Sequence, residues 1–265
     1  MKKINYILCI RLLRLVYKIK RKLFIIISAI FIITFLFISV FTIGKQEIYP
    51  ICYVQTEKKL ISFTFDDGGE DKQVCELLRV LKEKKIKATF FIIGEWAKEH
   101  TDMVKKINED GHDIGNHSYT HPFLPNLNKE NLESEIEKCN KVLEKIINKK
   151  IDLFRAPFGA TDKTVIKKAE EKKMFLIKWN IDTVDWKKGT TEEQILKTVK
   201  NEKRKGSIIL MHMGKNQTIK VLPKLIKHLN EEDYEIVPIS RLIYKDSGYF
   251  TTEKDGKQLE PIHMK

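Results

Sequence analysis

From residue 58 onward, short apolar runs alternate with amphipathic stretches. Seven runs read as strands, at 60–65, 87–93, 112–115, 152–154, 174–179, 207–211 and 235–239. Short bounded runs rich in β-branched and aromatic residues carry that reading. Between them a 3.6-residue period predicts helices over 71–85, 101–110, 129–147, 162–172, 191–205 and 217–230, with one last helical turn at 240–244. In the first of these Val74, Leu77, Leu78 and Leu81 share a face. Gly111 is placed to stop the second, and Thr161 or Asp162 to cap the fourth. Strands alternating with helices predict a parallel α/β domain, as a doubly wound sheet or a barrel.

Ahead of this pattern stands a run with no polar face. Residues 23–43 carry no charge over 21 positions, enough for a helix to cross a hydrocarbon core of about 30 Å. Lys2, Lys3, Arg11, Arg14, Lys18, Lys20, Arg21 and Lys22 precede it, with no acid among them. This asymmetry predicts a basic cytoplasmic segment (1–22), a transmembrane anchor (23–43) and an extracytoplasmic remainder. A cleaved signal peptide is the competing reading. The run is longer than a usual signal core, and no small-x-small site precedes Lys45. The expected order is then a linker at 44–57, a domain at 58–244 and a polar, mobile tail at 245–265.

Charge changes this picture little. The net charge is +13, and the eight N-terminal cations account for more than half of it, leaving +5. The basic pI of about 9.4 is thus partly a property of the N-terminus. No interleaved basic and aromatic motif points to nucleic acid. Of the four cysteines, Cys9 precedes the anchor, and Cys52, Cys75 and Cys139 show no metal-binding or redox spacing. Cys75 and Cys139 fall in helical patterns as small packing residues.

Candidate chemistry gathers where strands stop. The first ends at Asp66-Asp67-Gly68-Gly69, and the third runs into Asn116-His117-Ser118-Tyr119-Thr120-His121-Pro122. The fourth ends at Arg155-Ala156-Pro157-Phe158-Gly159. The fifth leads to Asp182-Thr183-Val184-Asp185-Trp186, and the sixth to Leu210-Met211-His212-Met213-Gly214. In a parallel barrel such ends converge on one face, whereas in an open sheet they spread along an edge. Convergence of five favours the barrel. Alone, the Asp pair reads as a strand-ending turn, and His117 with His121 as an incidental pair. Together, two His and one Asp form a common zinc set that leaves a position open for water.

These five segments resemble the motifs of the polysaccharide deacetylase family, carbohydrate esterase family 4, also called the NodB-homology domain. TFDDG, HSYTH, RAPFG, DTVDW and LMH stand in the family's order, spread over residues 60–239. The resemblance implies a distorted (β/α)7 barrel and metal-dependent hydrolysis of N-acetyl groups on sugar polymers. It implies that Asp67, His117 and His121 hold a divalent metal, most simply Zn²⁺. Asp66 becomes the general base and Arg155 the residue orienting it. The Phe158 amide becomes an oxyanion donor and His212 the general acid. Asp185, with Asp182 in support, orients His212, and Leu210 and Trp186 form a slot for the acetyl methyl.

The expected substrate is an N-acetylated glycan, foremost the N-acetylglucosamine of peptidoglycan. An O-acetyl esterase and a non-catalytic, membrane-anchored glycan-binding protein are the alternatives. Two positions depart from the common family pattern: Gly69 where proline is frequent, and Phe158 where tyrosine is frequent.

Overall fold

The computed structural model describes residues 2–41, 48–245 and 252–260, with side chains along the first helix described for 14–34. The chain divides into two units, Met1–Glu47 and Ile48–Lys265.

In the first unit, α1 (Lys2–Phe41) runs without a break through both the expected basic segment and most of the expected anchor. Within its apolar stretch the Thr34 hydroxyl donates to the carbonyls of Ile30 and Phe31, each at 3.0 Å. That back-bonding satisfies the hydroxyl within the helix itself. Among the described residues no helix is long and apolar enough to cross a membrane. The expected span at 23–43 has its side chains from residue 35 onward outside those residues, so the described part of the run falls short of the length a crossing needs. Cys9 also lies outside them.

The second unit is built on β2 (Leu60–Asp67), which is preceded by β1 (Tyr53–Val54). Ile61 through Asp66 are all buried. A strand covered on both faces must satisfy any polar group it buries, and the Ser62 and Thr64 hydroxyls do so by donating to the carbonyls of Val237 and Ile209. Then follow α2 (Asp71–Glu83), β3 (Thr89–Ile92), α3 (Gly94–Glu99), α4 (Thr101–Glu109) and β4 (Asp113–Asn116). Next come α5 (Lys129–Ile147), β5 (Leu153–Phe154), α6 (Lys163–Glu171), β6 (Phe175–Leu176) and β7 (Ile181–Asp182). The order closes with α7 (Glu192–Glu202), β8 (Ser207–His212), α8 (Asn216–Glu231), β9 (Glu235–Ile236), α9 (Ile239–Leu242) and β10 (Lys257–Gln258).

The helices begin where their caps place them. Asn128 accepts from the Asn131 amide, Asp162 from the Val165 amide, and Thr191 with Gln194 forms a full capping box. Helix α2 buries the expected Val74, Leu77, Leu78 and Leu81.

The sheet runs β10-β1-β8-β2-β3-β4-β5-β6, with β7 also on β8 and β9 also on β2. All pairings are parallel except β1 with β8. The result is an α/β half-barrel, consistent with the (β/α)7 arrangement. Its open side is crossed at one point by Ile51, whose amide donates to Leu176 O at 2.8 Å and whose carbonyl accepts from Lys178 N at 2.7 Å.

The tail is not uniformly without structure. Strand β10 pairs with β1, and the fully buried Gln258 accepts from Tyr244 N and donates to Tyr244 O. An amide that replaces strand partners leaves no periodic trace in the sequence. Cys52, Cys75 and Cys139 are free thiols.

The parallel register brings the polar strand ends to one level. Asp66 lies beside His212, Asp67 beside Ile92, Ile92 beside Asn116, Asn116 beside Phe154, and Asp182 beside Leu210.

Candidate active site

The loops that leave these strand ends are bent sharply. Nine non-glycine residues have positive φ among those described. Lys85, Asn148, Lys173 and Asp233 follow helix ends, where a left-handed residue is ordinary. The other five are Asp67, the last residue of β2, and Ser118, His121, Phe158 and Val184 in the segments that follow strand ends. Strained backbone of this kind persists only where its surroundings hold it.

Those surroundings are visible around the two histidines. Glu135 on α5 accepts from the amides of Tyr119 (2.9 Å) and Thr120 (2.8 Å) and from the Thr120 hydroxyl (3.0 Å). Ser118 Oγ accepts from the His121 amide at 3.0 Å. His117 Nδ1 lies 2.8 Å from the carbonyl oxygen of Arg155. A carbonyl can only accept, so Nδ1 carries the proton and Nε2 keeps its lone pair.

Both Nε2 atoms converge on Asp67 Oδ1, each at 3.4 Å. That oxygen is buried and has no hydrogen-bond partner. Burial alone would raise the Asp67 pKa, but the neighbouring histidines, His117 foremost and then His212 and His121, bring it down to about 2. The His121 pKa is lowered as well, by burial and by His117. An ionised carboxylate facing two imidazole lone pairs is a cation-binding set. Among the described residues this is the one such gathering of His, Cys, Asp and Glu, with its ligand atoms all within 4.8 Å of one another. The residues therefore fit the divalent metal expected from the sequence.

Asp66 sits beside this set with a different partner. Its Oδ1 accepts from Arg155 Nη1 at 2.6 Å, and its Oδ2 is 3.7 Å from His117 Nε2. Arg155 is wholly buried. Its donors reach Thr64 Oγ1 (2.8 Å), Lys178 O (2.8 Å) and Ile177 O (3.4 Å), and its guanidinium carbon lies 4.1 Å from the Phe91 ring centroid and 5.4 Å from that of Trp179. A buried guanidinium is tolerable only when its fork is filled in this way.

Across the cavity His212 Nδ1 is 2.7 Å from Asp185 Oδ1, leaving Nε2 as its remaining nitrogen. Asp185 is fully buried. Its Oδ2 accepts from the His212 amide (2.8 Å) and the Thr218 hydroxyl (2.5 Å), and its carbonyl from Gln217 (2.5 Å). Burial would lower the His212 pKa, but the hydrogen bond and charge of Asp185 outweigh it and raise the value.

The cavity itself holds about 360 Å³ and is lined by Asp66, Asp67, His117, His121, Phe158, Trp179, Asp182, Trp186, Leu210 and His212.

Comparison with known proteins decides the family. A family model described as polysaccharide deacetylase matches residues 53–177. A peptidoglycan-N-acetylglucosamine deacetylase of Bacillus cereus is 35% identical over 75% of this chain and 97% of its own length. The chain belongs to the polysaccharide deacetylase family.

Other members differ in activity. An uncharacterized protein, YlxY of Bacillus subtilis, is 32% identical over 73% of this chain, which spans 60% of that protein's length. The crystal structure of BA3943 from Bacillus anthracis, a family 4 pseudoenzyme, has a TM-score of 0.71 at 29% identity, covering 81% of this chain and 74% of its own. The family fold thus serves both an enzyme and a pseudoenzyme, and the residues of the site must decide between them.

Every residue expected from the sequence is brought to this deacetylase site. Nine of the eleven line the cavity, while Arg155 and Asp185 stand behind it. Asp182 reaches His212 through no direct contact; its carboxylate accepts from the Val184 amide at 2.8 Å, holding the turn that leads to Asp185. The sequence did not single out Trp179, Glu135, Thr64, Gln217 or Thr218. Of these Trp179 alone carried a signal, as an aromatic residue at the end of a predicted strand.

The glycines after the Asp pair are explained by contact. A Cβ on Gly68 would lie 2.4 Å from the Trp96 ring, whose Nε1 donates to Gly69 O at 2.9 Å. A Cβ on Gly69 would lie 2.8 Å from the backbone of Gly214.

Proposed function

We propose that the protein removes N-acetyl groups from N-acetylglucosamine units of peptidoglycan, and that α1 holds it at the outer face of the cell membrane. The observation that carries the catalytic reading is the complete set around one cavity: a ligand triangle, a base candidate paired to Arg155, and an acid candidate paired to Asp185. A pseudoenzyme is expected to lack a member, and none is missing. The relatives' names support the glycan. The eight cations before the apolar run support the orientation.

Asp67, His117 and His121 would hold a divalent cation, proposed as Zn²⁺, which when bound acidifies water and polarises a carbonyl. Asp66 accepts the proton of the attacking water. Arg155 fixes the Asp66 carboxylate so that one oxygen faces the ligand side. The Phe158 amide donates toward the oxygen that gains charge in the tetrahedral intermediate. His212, protonated and held by Asp185, gives its proton to the departing sugar amine. Leu210 and Trp186 take the acetyl methyl into an apolar slot. The products are acetate and a free amine on the sugar.

The test is acetate release by the full chain, purified in detergent and supplied with Zn²⁺, from peptidoglycan, N-acetylglucosamine oligomers and O-acetylated xylan. Release from the first two supports the reading, and release from xylan alone replaces it with O-acetyl esterase activity. No release from any substrate by metal-loaded protein sinks it. Recovery of the chain in the soluble fraction of its cells would remove the membrane proposal.

A further inference from the structure

Among the described residues of the second unit, the large apolar side chains left exposed are Phe123, Phe158 and Trp186. They are not scattered. Phe158 and Trp186 line the cavity, and Phe123 meets Phe158 with ring centroids 6.3 Å apart and planes tilted by 36°. Phe158 in turn meets the His121 ring at 4.6 Å. Phe123 and Phe158 are 48% and 66% exposed. Clustered exposed apolar surface marks a place of contact.

Both rings are held by stiff backbone. Phe123 stands between Pro122 and the fully buried Leu124, and its carbonyl accepts from Asn126 N at 3.1 Å in a 3₁₀ turn. Phe158 lies in a second 3₁₀ turn, closed by Gly159 N to Ala156 O at 3.0 Å. The platform is therefore preformed, and little ordering cost falls on binding.

We propose that Phe123 and Phe158 form a sugar subsite next to the cavity, stacking on a pyranose ring of the glycan one unit away from the N-acetyl group under attack. This rests on the glycan reading above. A pyranose ring turns C–H groups outward from its faces, and these suit the electron-rich face of an aromatic ring. Phe158 lines the cavity and Phe123 adjoins it outside that lining, so the pair extends apolar surface away from the cavity. A protein partner would need on the order of 1,200 Å² of buried surface, which three side chains do not provide. Nothing in the sequence motifs assigns Phe123 a role. The consequence is selectivity for a polymer over a single sugar.

The test compares kcat/KM on N-acetylglucosamine oligomers of increasing length for the full-length, Zn²⁺-loaded protein. In the wild type the value rises with length. In Phe123→Ala the ratio of long to short substrate falls about tenfold, and in Phe123→Trp it is retained. A ratio within twofold of wild type in a folded, metal-replete Phe123→Ala overturns the proposal. Should that variant fail to fold, Phe123→Leu keeps an apolar side chain without the aromatic face, and the same fall is expected of it. Calorimetric binding of a fully deacetylated glucosamine oligomer separates this idea from the catalytic one. If no substrate yields acetate, the catalytic reading fails, while weaker oligomer binding in the Phe123 variants still supports the subsite and equal binding overturns it.

Discussion

The two sides of the cavity secure their reactive groups by different means. Asp66 is held from within the sheet: Arg155 reaches it from beyond β5, braced by a β2 hydroxyl and by carbonyls just after β6. His212 is held from a loop and a helix: Asp185 follows β7, and Thr218 and Gln217 on α8 fix it in turn. The partner of Asp66 is a guanidinium with a fixed charge and a rigid fork. The partner of His212 is a carboxylate acting on a group that titrates near neutrality. One side is built to keep a geometry, and the other to set a proton affinity.

The largest effects should come from the Asp pair. Asp67→Ala is expected to lose the metal, read by elemental analysis, and to lower turnover by at least about 10³-fold. Asp66→Asn should lower kcat by a similar factor while retaining the metal. Equal metal loss in both variants would refute the split between ligand and base.

Next is Asp185→Asn, with a loss of about 10²-fold or more in kcat and a change in the pH profile. A general acid works below its pKa in the folded protein and fails as pH rises through it. Asp185 holds the His212 value up, so its removal should move the alkaline limb to lower pH. An alkaline limb that stays in place would mean His212 is not the acid.

A smaller change is expected at Glu135. Glu135→Ala frees the loop that carries His121 and should weaken metal affinity about 10- to 100-fold, with kcat at saturating metal changed far less. A chelator-competition titration checks it, and unchanged affinity would show that the loop holds its shape without Glu135.

The contrast between the two sides also explains what the sequence made legible. Asp66-Asp67, His117, His121, Arg155 and His212 each stand in a short contiguous motif at a strand end, so type and place coincide. Their supports do not. Arg155 meets Thr64 across 91 positions, and His212 meets Asp185 across 27. Glu135 lies on an amphipathic helix where a glutamate looks like any solvated residue.

The fold shows the same division. The amphipathic period marks helix α5 at its observed bounds, Lys129–Ile147, whereas α3 is too short to show a period. Strands β7 and β10, two residues each, are too short to show an alternation. The half-barrel's closure depends on Ile51, whose two bonds no local pattern announces.

The contact between Gly69 and Gly214 joins the two sides. A Cβ on Gly69 would lie 2.8 Å from Gly214, and one on Gly214 would lie 3.0 Å from Gly69. The strand end bearing Asp66 and the strand end bearing His212 thus touch main chain to main chain. Their spacing is set by the thickness of two peptide backbones, with no side chain as a spacer. A proline at position 69 would place ring carbons in that seam. Any side chain on either glycine would act as a wedge, lengthening the path a proton must cover between the water it leaves and the amine it reaches.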